Sequence, residues 1–520
     1  MKKQSFLQGA LILMLAGFIN RIIGFVLRII IVRNIGDEGL GLFQMIYPFF
    51  MTMLLICTAG FPVAISKIIP EKMAKNDLKG SYNLLKVSIF VVLIMSILIM
   101  ATVFFLADFL AKNIFADQRT YLIILAILPA LFFSSLASCF RGFFQGMHTM
   151  MPTAVSQIIE QASRLLATIM LINALAYLGI KYQAASIALG ISIGEFSGLL
   201  VLFSLFIYTF ITSYKGKYKS IKNRVTRNLR YNYRRDLKAI ASLAIPITVG
   251  RIIHSLIMSA EAILIPRQLQ IGGLSVADST ALYGQLSGMV EQLIFLPTVI
   301  TIALTISLVP NVSDAFARNN MQKIRNNYQD VIRISFYLGL PIILVFYNLG
   351  PELCDLLFGY PEAGSLLATM AFAAPFLYYL QVSHGMLNGL GKPHISVINL
   401  GLGSTINLIG IYFLVKGPMG IYGAAISIGI GAVLSACLNF IAIGHYIGYK
   451  INVIQSFFKP ILASLILFFS SGYIKSFNAL LNFNPKIETI ISLLLMAFIY
   501  LSIMIFTGAI RKEDLERFRK

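Results

Sequence analysis

Residues 88–107, SIFVVLIMSILIMATVFFLA, form a run of twenty residues without a charged side chain. A helix needs about 20 apolar residues to cross the hydrocarbon core of a bilayer, which is about 30 Å thick. Similar apolar runs recur from one end of the chain to the other. This pattern predicts an all-α integral membrane protein that crosses the bilayer many times.

The composition of the whole chain excludes a soluble protein. Of its 520 residues, 58% are hydrophobic and only 12% are charged, whereas soluble domains carry about 25% charged residues. The formal net charge of +21 comes from basic residues in short segments between the apolar runs. That distribution is typical of a membrane protein and does not indicate nucleic acid as a partner.

About fourteen spans are predicted, as two six-helix lobes and a final pair. The first lobe has spans at 8–32, 40–65, 83–107, 120–140, 152–178 and 183–212. The second has spans at 239–265, 279–308, 331–349, 365–388, 395–415 and 421–448, and the pair lies at 460–480 and 489–509. The predicted regions are an N-terminal lobe at 1–212, a basic linker at 213–238, a C-terminal lobe at 239–448, and two additional helices with a basic tail at 449–520.

Charges in the loops predict the orientation. The segment after span two carries Lys67, Lys72, Lys75 and Lys79, and the 213–238 linker carries ten basic residues against one acid. The loop after span nine is acidic, with Glu352, Asp355 and Glu362. Because lysine and arginine are enriched in cytoplasmic loops, the even-numbered loops and both termini are predicted to lie in the cytoplasm of a bacterial cell.

Short similarities between the lobes predict a duplication. Asn20-Arg21-Ile-Ile23 recurs as Gly250-Arg251-Ile-Ile253, and Arg141-Gly-Phe-Phe-Gln-Gly146 recurs as His384-Gly-Met-Leu-Asn-Gly389. Two repeats in the same orientation imply a pseudo-two-fold axis along the membrane normal, with the substrate path between the lobes.

Charged and polar side chains inside spans are the candidate substrate-binding residues, because such groups are costly in lipid and usually face an interior path. Arg21 and Arg28 share one face of the first helix, seven residues apart, with Gly17 and Gly24 on the same side. A guanidinium keeps its charge at any pH and suits a phosphate or diphosphate. The full candidate set is Arg21, Arg28, Arg251, His254, Glu261, Glu291 and Gln292.

A second polar group lies on the fifth and sixth helices. Its members, proposed as a polar path, are Gln157, Glu160, Arg164 and Glu195. Glu160 and Arg164 are four residues apart and could instead form an internal ion pair that only fixes the helix. For Glu195, a structural hydrogen bond and a role in transport both remain open.

The chain lacks the phosphate-binding loop, zinc-protease and nucleophile-elbow motifs of common enzymes. We therefore expect no enzymatic activity, no metal site and no cofactor. Transport energy would come from an ion gradient, the membrane potential or the substrate's own gradient, and the coupling cation stays open.

The segments Arg21-Ile-Ile-Gly-Phe25, Ala59-Gly-Phe-Pro-Val-Ala-Ile-Ser-Lys67 and Arg141-Gly-Phe-Phe-Gln-Gly146 resemble the polysaccharide-transport branch of the multidrug/oligosaccharidyl-lipid/polysaccharide (MOP) exporter superfamily. The resemblance covers the whole chain. It implies flipping of an undecaprenyl-diphosphate-linked saccharide, the peptidoglycan precursor for spore cortex, with membrane lipids and cell-wall synthesis proteins as partners. Arg21 matches an arginine of the related lipid II flippases, whereas Gln292 stands where they have another arginine.

Two other functions compete with this one. A cation-coupled multidrug antiporter of the same superfamily would rely on acidic residues, here Glu195, Glu261 and Glu291. A non-transporting membrane scaffold in the sporulation machinery would need no hydrated cavity, and the charges inside the spans argue against it.

Overall fold

A computed structural model describes residues 6–75, 77–221, 233–448, 454–480 and 484–508. Within these ranges the regular structure is helical, with no strand. The first seven α-helices are α1 (Phe6–Thr58), α2 (Phe61–Ala74), α3 (Leu78–Phe109), α4 (Thr120–Gly146), α5 (Met151–Ala174), α6 (Ile180–Ile221) and α7 (Tyr233–Ile271). The others are α8 (Val276–Tyr283), α9 (Glu291–Phe295), α10 (Thr298–Ala317), α11 (Met321–Phe358), α12 (Ala363–Ala371), α13 (Ala374–Gly389), α14 (Pro393–Leu414), α15 (Gly420–Ile447), α16 (Lys459–Leu480) and α17 (Pro485–Phe506).

The membrane prediction is confirmed. In the described ranges, 11 helical stretches are long and apolar enough to span a bilayer, or 12 if the bent pair α12–α13 is one span. Large apolar side chains on these helices face outward; Phe90 and Phe105 of α3 are 64% and 82% exposed. Lipid can cover such surfaces. The number fourteen stays a prediction, because 11–74 is counted once although it is long enough for two crossings.

Residues with positive φ interrupt the first long helical stretch at two places. Gly36 has φ 73° inside α1, and Ala59 and Gly60 have φ 41° and 73° between α1 and α2. Positive φ is the left-handed region that glycine adopts most easily. The second span, expected at 40–65, is therefore interrupted at 59–60, and Pro62 lies in the first turn of α2.

The helices beside the basic linker are longer than the sequence indicated. α6 continues to Ile221 and α7 begins at Tyr233, so both ends of the expected 213–238 linker are helical. The central part of that linker, 222–232, and the basic tail after Gly508 lie outside the described residues.

The chain divides into two compact units, 1–263 with 276–281 and 264–275 with 282–520. In the first unit, α4 packs against α1, α2, α3 and α6, and α5 packs against α6 and α1. In the second unit, α13 packs against α10, α11 and α15, and α14 packs against α15. The expected domain boundaries stay a prediction.

The two units contain the same packing of small residues. A methyl group added at Gly146 of α4 would lie 2.8 Å from Ile69 of α2, and one added at Gly389 of α13 would lie 2.8 Å from Val312 of α10. Gly389 follows Gly146 in the sequence by the same number of positions as Val312 follows Ile69. Glycines allow helix backbones to approach closely in membranes, and the shared pattern supports the duplication.

Candidate functional site

A cluster of two arginines and two glutamates lies where α4, α5 and α6 meet in the first unit. Nη2 of Arg141 is 2.6 Å from Oε2 of Glu160, and Nη2 of Arg164 is 2.8 Å from Oε1 of the same carboxylate. The same two nitrogens lie 3.8 Å and 3.5 Å from the two carboxylate oxygens of Glu195. We call these four residues the arginine–glutamate cluster.

Helix geometry explains how the cluster forms. Glu160 and Arg164 lie one turn apart on α5, which places their side chains on the same face. α6 can approach that face because Gly194 has no side chain; a methyl group there would lie 2.8 Å from the Glu160 backbone oxygen and 2.9 Å from Cβ of Arg164. This close approach brings Glu195 to the two arginines.

The cluster is buried and electrically balanced. Glu160 and Glu195 are 8% and 7% exposed, and the side chains of both arginines are 18% exposed. Buried charges are costly unless they are paired, and here two positive groups face two negative ones.

Some polar atoms of the cluster are not used by this pairing. Within the described part of the chain, Nε of each arginine and Oε2 of Glu195 are buried and make no hydrogen bond of normal geometry. The Ser134 side chain of α4 lies close to the Glu195 carboxylate. The cluster therefore keeps donors that a water molecule or a ligand can use.

The first helix lies beside this cluster. A methyl group at Gly24 of α1 would be 3.2 Å from Nε2 of Gln161 on α5, so this glycine permits a close approach between the two helices. A methyl group added at Gly17 would have no atom within 4 Å. Arg21 and Arg28, on either side of Gly24, are half-buried.

Tyr47 lies further along α1. This tyrosine is within electrostatic range of Arg28, Arg164 and both cluster glutamates.

One α7 arginine occupies a different part of the first unit. Arg251 is exposed and lines a small cavity of about 50 Å³ at the α1–α2 break, with Thr58 and Gly60 among the other lining residues. A single cavity shared by Arg21, Arg28 and Arg251 stays a prediction.

The remaining α7 candidates follow Arg251 along the helix. His254 is exposed and Glu261 is half-buried. Between them, Oγ of Ser255 lies 2.8 Å from the Thr52 hydroxyl of α1, so this face of α7 packs on the first helix.

The last candidates lie in two further places. Gln157 is half-buried near the start of α5. Glu291 and Gln292, both half-buried, begin α9 in the second unit, directly after a π-helical turn at Gly284–Val290. π-Helical turns are frequent at functional sites. A role for these residues as substrate ligands stays a prediction.

The second unit has a neutral polar network on α13, α14 and α15, the helices that correspond to α4, α5 and α6. Nδ2 of Asn399 donates to Oδ1 of Asn439 at 2.9 Å, and Nδ2 of Asn439 donates to Oγ of Ser383 at 2.9 Å. All three residues are buried.

The packing of α14 on α15 matches that of α5 on α6. Asn407 of α14 packs against Gly431 of α15, as Arg164 packs against Gly194 in the first unit. At this position of the helix pair, the first unit thus has the charged Arg164 and the second unit has the neutral Asn407.

Arg141 is the cluster residue that the sequence analysis did not select. In the sequence it begins a repeated motif whose second copy has His384 in that position, and the same motif carries part of the family resemblance. An arginine inside an apolar span was the available signal, since such charges usually face the bundle interior. Its partners, Glu160 and Glu195, are 19 and 54 positions away, so no local pattern could identify them.

The fold is that of the MOP superfamily transporters. The structure matches an inward-facing multidrug resistance MATE family transporter with a TM-score of 0.66 and 17% identity, covering 82% of this chain and 94% of that chain. It matches the lipid II flippase MurJ in an inward closed conformation with a TM-score of 0.69 and 15% identity, covering 95% and 98%. The architecture is therefore that of a multi-helix membrane protein with the same fold as these two transporters.

Sequence comparison gives the family. The family described as polysaccharide biosynthesis protein matches residues 6–316, and the MatE family matches 285–413. Stage V sporulation protein B of Bacillus subtilis (strain 168) is 30% identical over 99% of this chain and 98% of its own. Lipid II flippase MurJ of the same organism is 26% identical over 86% and 84%. The chain belongs to the polysaccharide biosynthesis protein family, as its sequence motifs predicted.

Proposed function

We propose that this protein is a flippase that moves an undecaprenyl-diphosphate-linked saccharide across the bacterial cytoplasmic membrane by alternating access. The observation that carries the proposal is the placement of Arg21 and Arg28, on a membrane-spanning helix that packs on α5, the helix that carries two residues of the arginine–glutamate cluster. These two half-buried arginines add positive charge to a bundle whose outer surface is apolar. A lipid-linked diphosphate requires both features.

Physical chemistry connects the arginines to this substrate. A diphosphate carries negative charge that is costly to move through a low-dielectric medium. Guanidinium groups bind phosphate oxygens through two parallel N–H bonds and remain charged at any pH. The polyprenyl chain can stay in lipid beside the exposed apolar faces of the helices while the headgroup passes the arginines.

The relatives support the same class of substrate. One of them is named for lipid II flipping and another for stage V of sporulation. On this basis we propose the peptidoglycan precursor for spore cortex as the cargo. The loop charges support cytoplasmic N- and C-termini, and cell-wall synthesis proteins are the proposed partners.

The experiment that tests the proposal is complementation of a bacterial strain depleted of its lipid II flippase. Expression of the protein should restore growth, whereas a variant with both Arg21→Ala and Arg28→Ala should not, at equal membrane levels. A variant with Arg318→Ala is the matched control, because Arg318 forms an exposed pair with Asp314. Failure of the unaltered protein to restore growth and to flip lipid-linked precursor in proteoliposomes would contradict the proposal.

A cation-coupled antiporter is the second candidate, favoured by the MatE match over residues 285–413. This function would place the essential chemistry on carboxylates such as Glu291. Purified protein in liposomes would then exchange organic cations for protons or sodium. In that case Glu291→Gln would abolish activity while Arg21→Ala would be tolerated, the reverse of the order expected for a flippase.

A further inference from the structure

We infer that Arg141 and Arg164 form a diphosphate-binding site that Glu195 occupies as a displaceable internal counter-ion in the ligand-free protein. The inference rests on the proposed function. It assigns a second binding site to the diphosphate headgroup of the proposed substrate, in addition to Arg21 and Arg28. It concerns only groups within the first unit. The chemical class of the ligand is a phosphate or diphosphate group, either free or attached to a lipid.

The distances separate the two glutamates into different roles. Glu160 is held by both arginines at 2.6 and 2.8 Å, the short separation of strong charge-assisted hydrogen bonds. Glu195 lies 3.8 and 3.5 Å from the same two nitrogens, too far for a strong bond. Glu160 therefore fixes the two guanidinium groups, while Glu195 chiefly balances their charge.

The donors of the two arginines converge on one region. Both guanidinium groups lie beside both carboxylates, so the groups that face Glu195 could equally face another anion. Each guanidinium has five N–H donors, and the Nε donor of each is buried without a hydrogen-bond partner in the described chain. These donors are available to an anion that enters the cluster.

Charge balance permits an exchange of anions at this place. Two partly buried cations with Glu160 as their one counter-ion would carry an uncompensated charge, which is costly, and Glu195 supplies the second counter-ion. A diphosphate would make shorter, bidentate contacts to the same arginines and would displace the glutamate. Because the glutamate competes for the same positive groups, neutralising it should strengthen anion binding.

The helix packing of the second unit agrees with a specialised role for the cluster. Where the first unit has Arg164 packed against Gly194, the second has Asn407 packed against Gly431. The same helix packing is thus formed without an ion pair between these positions. Holding two such helices together does not itself require the four charges.

The test measures binding of inorganic pyrophosphate and of farnesyl diphosphate to the purified full-length protein in lipid nanodiscs, with empty nanodiscs as the blank. We expect Glu195→Gln to raise the affinity for the bound probe by about tenfold, because a competing negative charge is removed. Arg141→Lys and Arg164→Lys should each lower the affinity by about tenfold or more, because lysine cannot form the bidentate contact. Stronger binding of farnesyl diphosphate than of pyrophosphate assigns the site to a lipid-linked headgroup, and the reverse assigns it to a free anion.

Controls separate this inference from a purely structural role. Asp314→Asn, which removes the carboxylate of an exposed arginine pair, should leave the affinity unchanged. Should Glu195→Gln fail to fold, Glu195→Asp keeps the charge but withdraws it from the arginines, and a smaller rise in affinity is expected.

The outcomes also distinguish this inference from the proposed function. The inference is wrong, and the proposed function stands, if the unaltered protein binds a diphosphate, the cluster variants bind it equally well and Arg21→Ala abolishes binding. If the unaltered protein binds neither probe, both the inference and the proposed function fail.

Discussion

At the scale of single residues, Arg21 on α1 gives a direct test of substrate chemistry. Arg21→Lys keeps the positive charge but replaces a planar fork with a point charge, which cannot bind a diphosphate in a bidentate manner. We expect flipping in proteoliposomes to fall by about tenfold or more. Arg318→Lys is the matched control and should retain full activity. Equal activity of Arg21→Lys and the unaltered protein would show that bidentate binding by the guanidinium group is not needed.

A hydroxyl contact between α1 and α7 provides a second test at this scale. Thr52 contacts Ser255 at 2.8 Å and Ser259 at 2.9 Å, and all three residues are buried. Thr52→Val removes both contacts, and hydrogen bonds between membrane helices contribute roughly 1 kcal/mol. We expect a lower unfolding temperature by scanning calorimetry. Thr102→Val, at an exposed threonine that bonds to its own helix, should change the unfolding temperature less.

At the scale of helices, the close approach of α5 and α6 depends on glycine. A methyl group at Gly194 would lie 2.8 Å from a backbone oxygen of α5, and one at Gly431 would lie 2.7 Å from a backbone oxygen of α14. Gly194→Ala and Gly431→Ala should therefore each destabilise the protein by about 1–3 kcal/mol, since the helices must move apart. Thermal unfolding in detergent measures the effect.

Gly444 of α15 is the control for these substitutions, because no atom lies within 4 Å of an added methyl group. Gly444→Ala should leave the stability unchanged or slightly higher. Equal stability of all three variants would mean that the backbones do not approach as closely as described. Gly194→Ala should also weaken transport more than Gly431→Ala, because Gly194 lies beside the arginine–glutamate cluster.

At the scale of the whole molecule, the distribution of charge predicts the orientation in the membrane. Single cysteines introduced at 215–238 should resist impermeant thiol reagents in intact cells, whereas cysteines at 352–362 should react. The four native cysteines are replaced first, since Cys437 is exposed. Permeabilised cells serve as the control, in which both sets should react. Reversed labelling would overturn the orientation and the direction of transport.

The sequence by itself determined the class of the protein and most of its helices. Apolar length and loop charge are local properties, so they are visible without knowing which helices touch. The motifs around Arg21 and Arg141 also sufficed to predict the family. The i, i+4 spacing of Glu160 and Arg164 indicated an internal ion pair as the alternative to a polar path, because helix geometry brings such residues together.

Only the tertiary structure decided how the polar residues are grouped. Arg141, Glu160 and Glu195 lie on three different helices, and packing through Gly194 brings them together. The unequal distances that distinguish Glu160 from Glu195 also depend on this packing. The break at Ala59–Gly60 is visible only in the backbone conformation, because an apolar run continues through these residues in the sequence. Contacts between distant segments follow from the packing of whole helices, which no local pattern of residues encodes.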